Sequence, residues 1–455
     1  MSSKRNYADK SYGVNLDPEE LPRKWYNIVP DLPEKLAPML NPHTKKPMGP
    51  KDFEALFPKE LVKQQFSEER WFDIPEEVWD AYRRLPRPTP LVRAKRLEEY
   101  LRTPAKIYYK AEQMSPVGSM KPNSALPQAF YAKEQGLKLA ISETGAGQWG
   151  SALAMSCSLF KLPARVYMVR VSAQQKPGRR IMMETFGTEV FESPSNNTKI
   201  GRKLLAENGN HPGSLGIAIS EAIEDTFATE GSRYLLASAF NYALAHQTII
   251  GLETQKQFEL LDIEPDIMCG CIGGGSNFSG FIYPFVREKL RKKIDTEFMA
   301  CEPAAVPSTT KGTFTYDYAD TAEQTPLVKM YTVGHKFANP PIHAGGLRYH
   351  GKAPSLSLLI HEKVVQSVAY PQTKVFEAAR IFAQTEGVIA APESAHGLRF
   401  VIDEAIRCKK KNEKKVIAFN NCGHGLLDLS AYQEYNAGKL QDWAPEEVVP
   451  PQYVS

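Results

Sequence analysis

The chain has 455 residues, 42% of them hydrophobic and 24% charged, with a formal net charge of only +4. That composition is ordinary for a globular protein of two or three domains, and its small, interspersed charge gives no reason to expect a nucleic-acid partner. No apolar run approaches the roughly 20 residues of a membrane span, and the N-terminal MSSKRNYADKSYG lacks the apolar segment of a signal peptide. The six cysteines (157, 269, 271, 301, 408 and 422) include no second pair at zinc spacing, so we expect reduced thiols, a cytoplasmic setting and no metal.

Residues 1–86 are rich in Pro, Lys and Glu, with aromatics such as Trp25, Tyr26, Trp71 and Trp79. They read as an extension of short helices and loops, too broken by proline for a regular core. From Arg87 the pattern becomes alternating β and α. Strands are expected at 106–109, 137–142, 165–169 and 189–191, with helices at 123–134, 150–159 and 176–186. A second series follows: strand 266–272, helix 276–289, strand 297–301, helices near 372–385 and 394–407, and strand 416–420. This alternation predicts an α/β protein with two doubly wound parallel-sheet domains. The first, mainly 87–240, carries Lys121 and a mobile substrate-closing subdomain; the second spans 241–455. The basic run Lys409–Lys415 reads as a solvated helix end.

Three motifs fall where such folds bind ligands, at strand carboxyl ends facing helix N-termini. In Gly118-Ser119-Met120-Lys121-Pro122-Asn123 a lysine stands at the mouth of a helix. Desolvation and the helix terminus both disfavour its ammonium form and make it nucleophilic. On its own a lysine is ordinarily a surface residue. Glu143-Thr144-Gly145-Ala146-Gly147-Gln148-Trp149-Gly150 ends a strand with a carboxylate and continues as a Gly-rich loop. Its N–H groups can converge on an anion, such as a substrate carboxylate, beneath Glu143 as acid or base. Gly273-Gly274-Gly275-Ser276-Asn277 offers a second nest, for a phosphate, without the lysine of a P-loop or the spacing of a dinucleotide fold. Each glycine cluster alone is also an ordinary turn. Together with the lysine they point to pyridoxal 5'-phosphate chemistry on an amino acid.

In order along the chain stand R-P-T-P-L, G-S-x-K-P-N, E-T-G-A-G-Q-W-G, H-P-G-S-L-G-I-A-I-S-E-A, G-G-G-S-N, H-A-G-G-L-R-Y-H-G and P-E-S-A-H. From about Arg87 to Asp428 the chain resembles the β chains of tryptophan synthase, within the fold-type II pyridoxal phosphate enzymes. It is most similar to their divergent second class, which has an N-terminal extension. The resemblance implies that Lys121 forms the Schiff base and shuttles the α-proton, and that Glu143 assists the leaving group and activates indole. It implies that Thr144, Gly145, Ala146, Gly147, Gln148 and Trp149 hold the substrate carboxylate, with Gln148 also beside the cofactor. Gly273 to Asn277 would hold the phosphate, Glu393 would lie near the ring, and Cys422 would face the pyridine nitrogen.

Three positions depart from the family pattern. Met120 stands where a His precedes the lysine, and Cys422 where a Ser is usual; a thiol is the weaker hydrogen-bond partner. Arg348 replaces the acid of the main class, which suits a phosphate leaving group, or else an interdomain salt bridge. The expected activity is therefore β-replacement, forming L-tryptophan from indole and L-serine or O-phospho-L-serine. The alternatives are a related β-replacement or β-elimination enzyme with another acceptor, and a cofactor-free regulatory relative. A homodimer with weak or no α-subunit contact is expected.

Overall fold

The computed structural model describes residues 12–449 and 453; residues 1–11, read above as free of a signal peptide, lie outside them. Two sheets organise the chain. The smaller runs Glu189–Ser193, Ala164–Val169, Leu139–Thr144, Ser232–Tyr234, all parallel. The larger runs Gly13–Val14, Leu91–Arg93, Lys106–Lys110, Val416–Asn420, Ile267–Cys271, Glu297–Pro303, Gln366–Tyr370. Its last five strands are parallel, and the first two add an antiparallel edge.

The central strand Ile267–Cys271 shows why the sequence folds this way. All five residues are buried. Ile267 and Cys269 pack in one cluster with Leu398 and Val401 of the helix Ser394–Lys411. Met268 packs in another with Phe278, Phe281 and Ile282 of the helix Ser276–Leu290. Alternate side chains thus meet helices on opposite faces, so the strand reads as a continuous apolar run.

The expected boundary near residue 240 does not separate the sheets. Lys106–Lys110 pairs with Val416–Asn420 and belongs to the larger sheet, while residues 139–234 build the smaller one. Burial is the reason: Ile107 and Tyr109 lie in the apolar cluster of Phe382, Leu398 and Phe419. The helix expected at 176–186 is present as Pro177–Thr185, with Pro177 at its start; the short helix Arg170–Gln175 before it is not among the expected elements. The sequence reading missed the helices Leu215–Ala228 and Ile249–Leu261 and the hairpin Thr313–Tyr318/Leu327–Thr332. In the extension Lys24–Tyr26 pairs with Trp71–Asp73, and Trp25, Tyr26 and Trp79 are buried in the main core.

A buried ion cluster joins the start of the body to the Lys121 segment. Arg87 pairs with Glu112 at 2.8 Å and Glu253 at 3.0 Å, and Lys110 reaches Glu253 at 2.7 Å. Asn123 accepts from Arg87 at 2.8 Å and donates to Glu112 at 2.9 Å. Two cations and two carboxylates balance, which is what lets them lie out of water. Removing one partner leaves a buried charge uncompensated. Glu253→Gln should therefore cost about 3–5 kcal/mol of stability, read as a lower urea midpoint at unchanged slope.

Candidate active site

A cavity of about 320 Å³ lies between the two sheets, where strand carboxyl ends meet helix N-termini. Lys121, Glu143, Cys271, Glu393 and Cys422 all line it, together with both Gly-rich loops. The structure thus brings together the residues singled out in sequence, Arg348 excepted.

Lys121 stands at the N-terminus of the helix Pro122–Glu134, with Pro122 in the first turn. The preceding loop is clamped to the segment after Val416–Asn420: Met120 N–H donates to Cys422 O at 3.0 Å, and Ser119 bridges Gly423. Burial lowers the pKa of the Lys121 amine, against the opposing pull of Cys422, Cys271, Glu143 and Glu393. A less basic amine is a better nucleophile near neutral pH.

Gly273–Asn277 carries the chain from the central strand into the helix Ser276–Leu290, with Gly275 at φ +113°. A Cβ on Gly273 would sit 2.3 Å from Gly346 O, and one on Gly274 would sit 2.7 Å from Ser238 Oγ. Only glycine fits there. Ser238 Oγ accepts from Ser276 N–H at 3.2 Å. Among the described residues no partner takes the N–H groups of Gly273, Gly274 or Gly275. Free donors at a helix N-terminus can hold an anion such as a phosphate.

The loop after Leu139–Thr144 repeats the device. Gly147 has φ +90°, and a Cβ there would meet the Arg179 side chain at 2.7 Å. Thr144 Oγ1 accepts from Gly147 and Gly150 N–H at 3.2 and 3.1 Å, while the N–H groups of Gly145 and Ala146 have no partner among the described residues. The helix Gln148–Leu159 begins there. Trp149 lines the cavity and donates from Nε1 to Ser142 Oγ at 2.8 Å.

Glu143 is fully buried, and burial pushes its carboxyl up to about 7, against a hydrogen bond from Tyr234 and the charge of Lys121. Glu393 accepts from Gly346 N–H at 2.9 Å and Gln148 Nε2 at 3.2 Å, tying the segment Gly345–Leu347 to the start of the helix Gln148–Leu159. Cys422 Sγ lies 3.1 Å from Ser394 Oγ and 3.5 Å from Cys271 Sγ. The bond to Cys422 and burial push the Cys271 thiol well above its usual range.

Arg348 lies elsewhere. It lines a neighbouring cavity of about 140 Å³ that shares Gly145 and Gly345 with the main one. Its guanidinium donates to Ser172 Oγ at 2.5 Å, and among the described residues no ion pair engages it. In place of the salt bridge offered as its alternative role, Arg348 makes this hydrogen bond to a hydroxyl. Burial draws its pKa down to about 10, so the side chain remains cationic at neutral pH.

Sequence reasoning missed several neighbours. Tyr234 and Ser238 come from a short strand and its exit, with no motif to flag them. Lys176 and Arg179 converge on Asp428 at 2.5 and 3.1 Å, all three buried. Their spacing gives no hint of this, because Asp428 is some 250 positions away in the chain.

The family description "Pyridoxal-phosphate dependent enzyme" matches residues 82–423. A tryptophan synthase beta chain of Pyrococcus horikoshii is 55% identical over 427 residues, 94% of this chain and 93% of that protein. A tryptophan synthase beta chain 2 of Aeropyrum pernix is 56% identical over 439 residues, 96% and 98% of the two chains. That of Aquifex aeolicus is 55% identical over 430 residues, 94% and 99%. Among solved structures, an L-serine ammonia-lyase from Rhizomucor miehei superposes with a TM-score of 0.56 at 18% identity, over 77% of this chain and 98% of that one. Maize serine racemase gives 0.52 at 16%, over 76% and 93%; these two likenesses concern the fold. Fold and site together define a fold-type II pyridoxal-phosphate dependent enzyme. Within that class, the chain belongs to the tryptophan synthase β family.

The residues present fit the cofactor. A buried amine of lowered basicity, a nest of unpartnered N–H groups that no Cβ could share, and a thiol at the cavity wall are the donors it needs. Borohydride reduction of the holoenzyme followed by peptide mapping should place the adduct on Lys121. An adduct on any other lysine would refute the assignment.

Proposed function

We propose that the protein forms L-tryptophan from indole and an amino-acid donor, L-serine or O-phospho-L-serine. The observation that carries this is one cavity joining Lys121, Glu143 and the two nests to an apolar extension lined by Phe53, Phe57, Leu215, Ile219 and Phe240. A flat, apolar acceptor suits that wall; a β-elimination enzyme releasing its product to water would have no use for it.

Pyridoxal phosphate, when bound, supplies the electron sink that acidifies the donor's Cα–H and lets its β-substituent leave. Lys121 would hold the cofactor covalently and then carry the Cα proton at Nζ. Gly273, Gly274 and Gly275 would bind its phosphate through backbone N–H groups, with Ser276 and Asn277 completing the loop around it. Cys422 would face the ring nitrogen as a weak hydrogen-bond partner, and Glu393 with Gln148 would border the ring. In the loop from Thr144 to Trp149, the free N–H groups of Gly145 and Ala146 would take the donor's carboxylate. Glu143 would protonate the departing oxygen and then accept the indole N–H proton. A carboxyl near pH 7 has both forms populated for these opposite tasks.

Arg348 would attract an anionic leaving group from its neighbouring cavity. This reading rests on a buried guanidinium bound only to a neutral hydroxyl. We further read the chain as a cytoplasmic homodimer with weak or no α-subunit contact. Six free, buried thiols support a reducing compartment, and light scattering of the purified protein tests the dimer. Among the described residues no helix is long and apolar enough to cross a membrane. For the domains, we propose an extension over 1–86, a substrate-closing unit built on the smaller sheet, and a cofactor unit that adds residues 91–110 to 241–455.

Glu143→Gln should keep the cofactor but lose about 10²–10⁴-fold in tryptophan formation. The wild-type pH profile of kcat should bend near pH 7, and what activity the variant keeps should lack that bend. The same titration acts on stability. The native state keeps a proton that the unfolded chain releases above the ordinary value of 4.5, so stability falls as pH rises from there to about 7. Urea midpoints of Glu143→Gln should lack that decline. Arg348→Ala should lower kcat/KM for O-phosphoserine by on the order of 10-fold or more, and for serine much less. Equal losses would mark a structural arginine.

A further inference from the structure

The acid–base carboxylate of the proposed reaction is not alone in its pocket. Tyr234 ends the strand Ser232–Tyr234, which lies parallel beside Leu139–Thr144 with Ile141 opposite Tyr234. Its hydroxyl donates to Glu143 Oε2. The backbone around it is pinned, with Tyr234 N–H on Leu56 O at 2.8 Å and Leu235 N–H on Ile141 O at 2.9 Å. Its ring meets Phe57 edge-on at 5.6 Å and is 2% exposed. The phenol therefore has one place to put its proton.

We propose that Tyr234 is a positioning residue for the proton transfers of Glu143: it holds Oε2, leaves Oε1 to exchange a proton with the reactants, and favours the ionised carboxylate needed to take the indole N–H proton. This rests on the role given to Glu143 above. The groups facing that carboxylate are Lys121, Tyr234, Tyr242 and Tyr349. Among the described residues, Tyr234 is the tyrosine that hydrogen-bonds it; the Tyr242 hydroxyl is buried with no partner among them, and the Tyr349 hydroxyl donates to Ala319 O at 3.2 Å. Burial holds the Tyr234 phenol well above its usual range, so it stays a donor throughout the working pH range. A bond to the charged form stabilises that form, and without it burial would push the carboxyl above about 7.

The two halves of the reaction use opposite forms of Glu143. Loss of the leaving group needs the acid, and capture of indole needs the base. Tyr234→Phe should therefore impair them unequally. The acidic limb of kcat for tryptophan formation should move up by about one to two pH units, the scale of a hydrogen bond to a charged group. At pH 7 tryptophan formation should fall by about 5- to 50-fold. Conversion of serine to pyruvate and ammonia without indole should fall by less than about 3-fold at that pH. A fluorinated tyrosine placed at 234, a stronger donor, should move the limb down. Tyr242→Phe, which removes a hydroxyl that makes no bond to the carboxylate, should leave the limb in place. A limb unmoved by both the Phe and the fluorotyrosine replacements would overturn the proposal, as would equal loss of both reactions in Tyr234→Phe. If Glu143→Gln keeps full activity and its pH bend, the role of Glu143 fails instead, and the positioning role fails with it.

Discussion

The site depends on one constraint: parallel strands end where helices begin. In both sheets the chain leaves a strand's carboxyl end, turns through glycine and enters a helix, so unpartnered N–H groups and the helix dipole aim at the same cavity. Gly275 and Gly147 each stand at such a turn with positive φ, and their neighbours, Leu356 and Arg179, come too close for any Cβ. Two anion nests follow from this topology without any charged side chain in either loop. Both loops line the same cavity, and Glu393 beside them binds Gly346 N–H and Gln148 Nε2.

The same burial that builds the nests sets the chemistry. A cavity that excludes water makes ionisation costly, lowering the basicity of Lys121 and raising the carboxyl of Glu143 towards neutrality. An amine and an acid shifted in opposite directions within one cavity are what a two-stage proton transfer requires. Such groups do not stabilise the fold, and buried charge clusters lie near them. Arg87, Lys110, Glu112 and Glu253 balance one another behind the Lys121 helix. Lys176, Arg179 and Asp428 do not balance: two cations share one carboxylate, and Arg179 lies directly behind Gly147. Arg348 lies in the adjoining cavity.

Much of this was legible in the chain itself. The alternation of apolar strands and amphipathic helices determined an α/β fold, and the order of the glycine motifs behind Lys121 and Glu143 determined a pyridoxal phosphate site. Both are local signals: period, turn chemistry and a charged residue at a strand end. Tertiary structure decided what no local signal encodes. It assigned residues 91–110 to the larger sheet, because Ile107 and Tyr109 bury among residues some 300 positions away. It placed Arg348 in a side cavity against Ser172, where sequence left a choice between a substrate anion and a salt bridge. It set Tyr234 beside Glu143 through the register of two strands 91 residues apart. A sequence determines which groups can bind, ionise or turn the chain; only packing decides which of them meet, because pairing across sheets depends on contacts far apart along the chain.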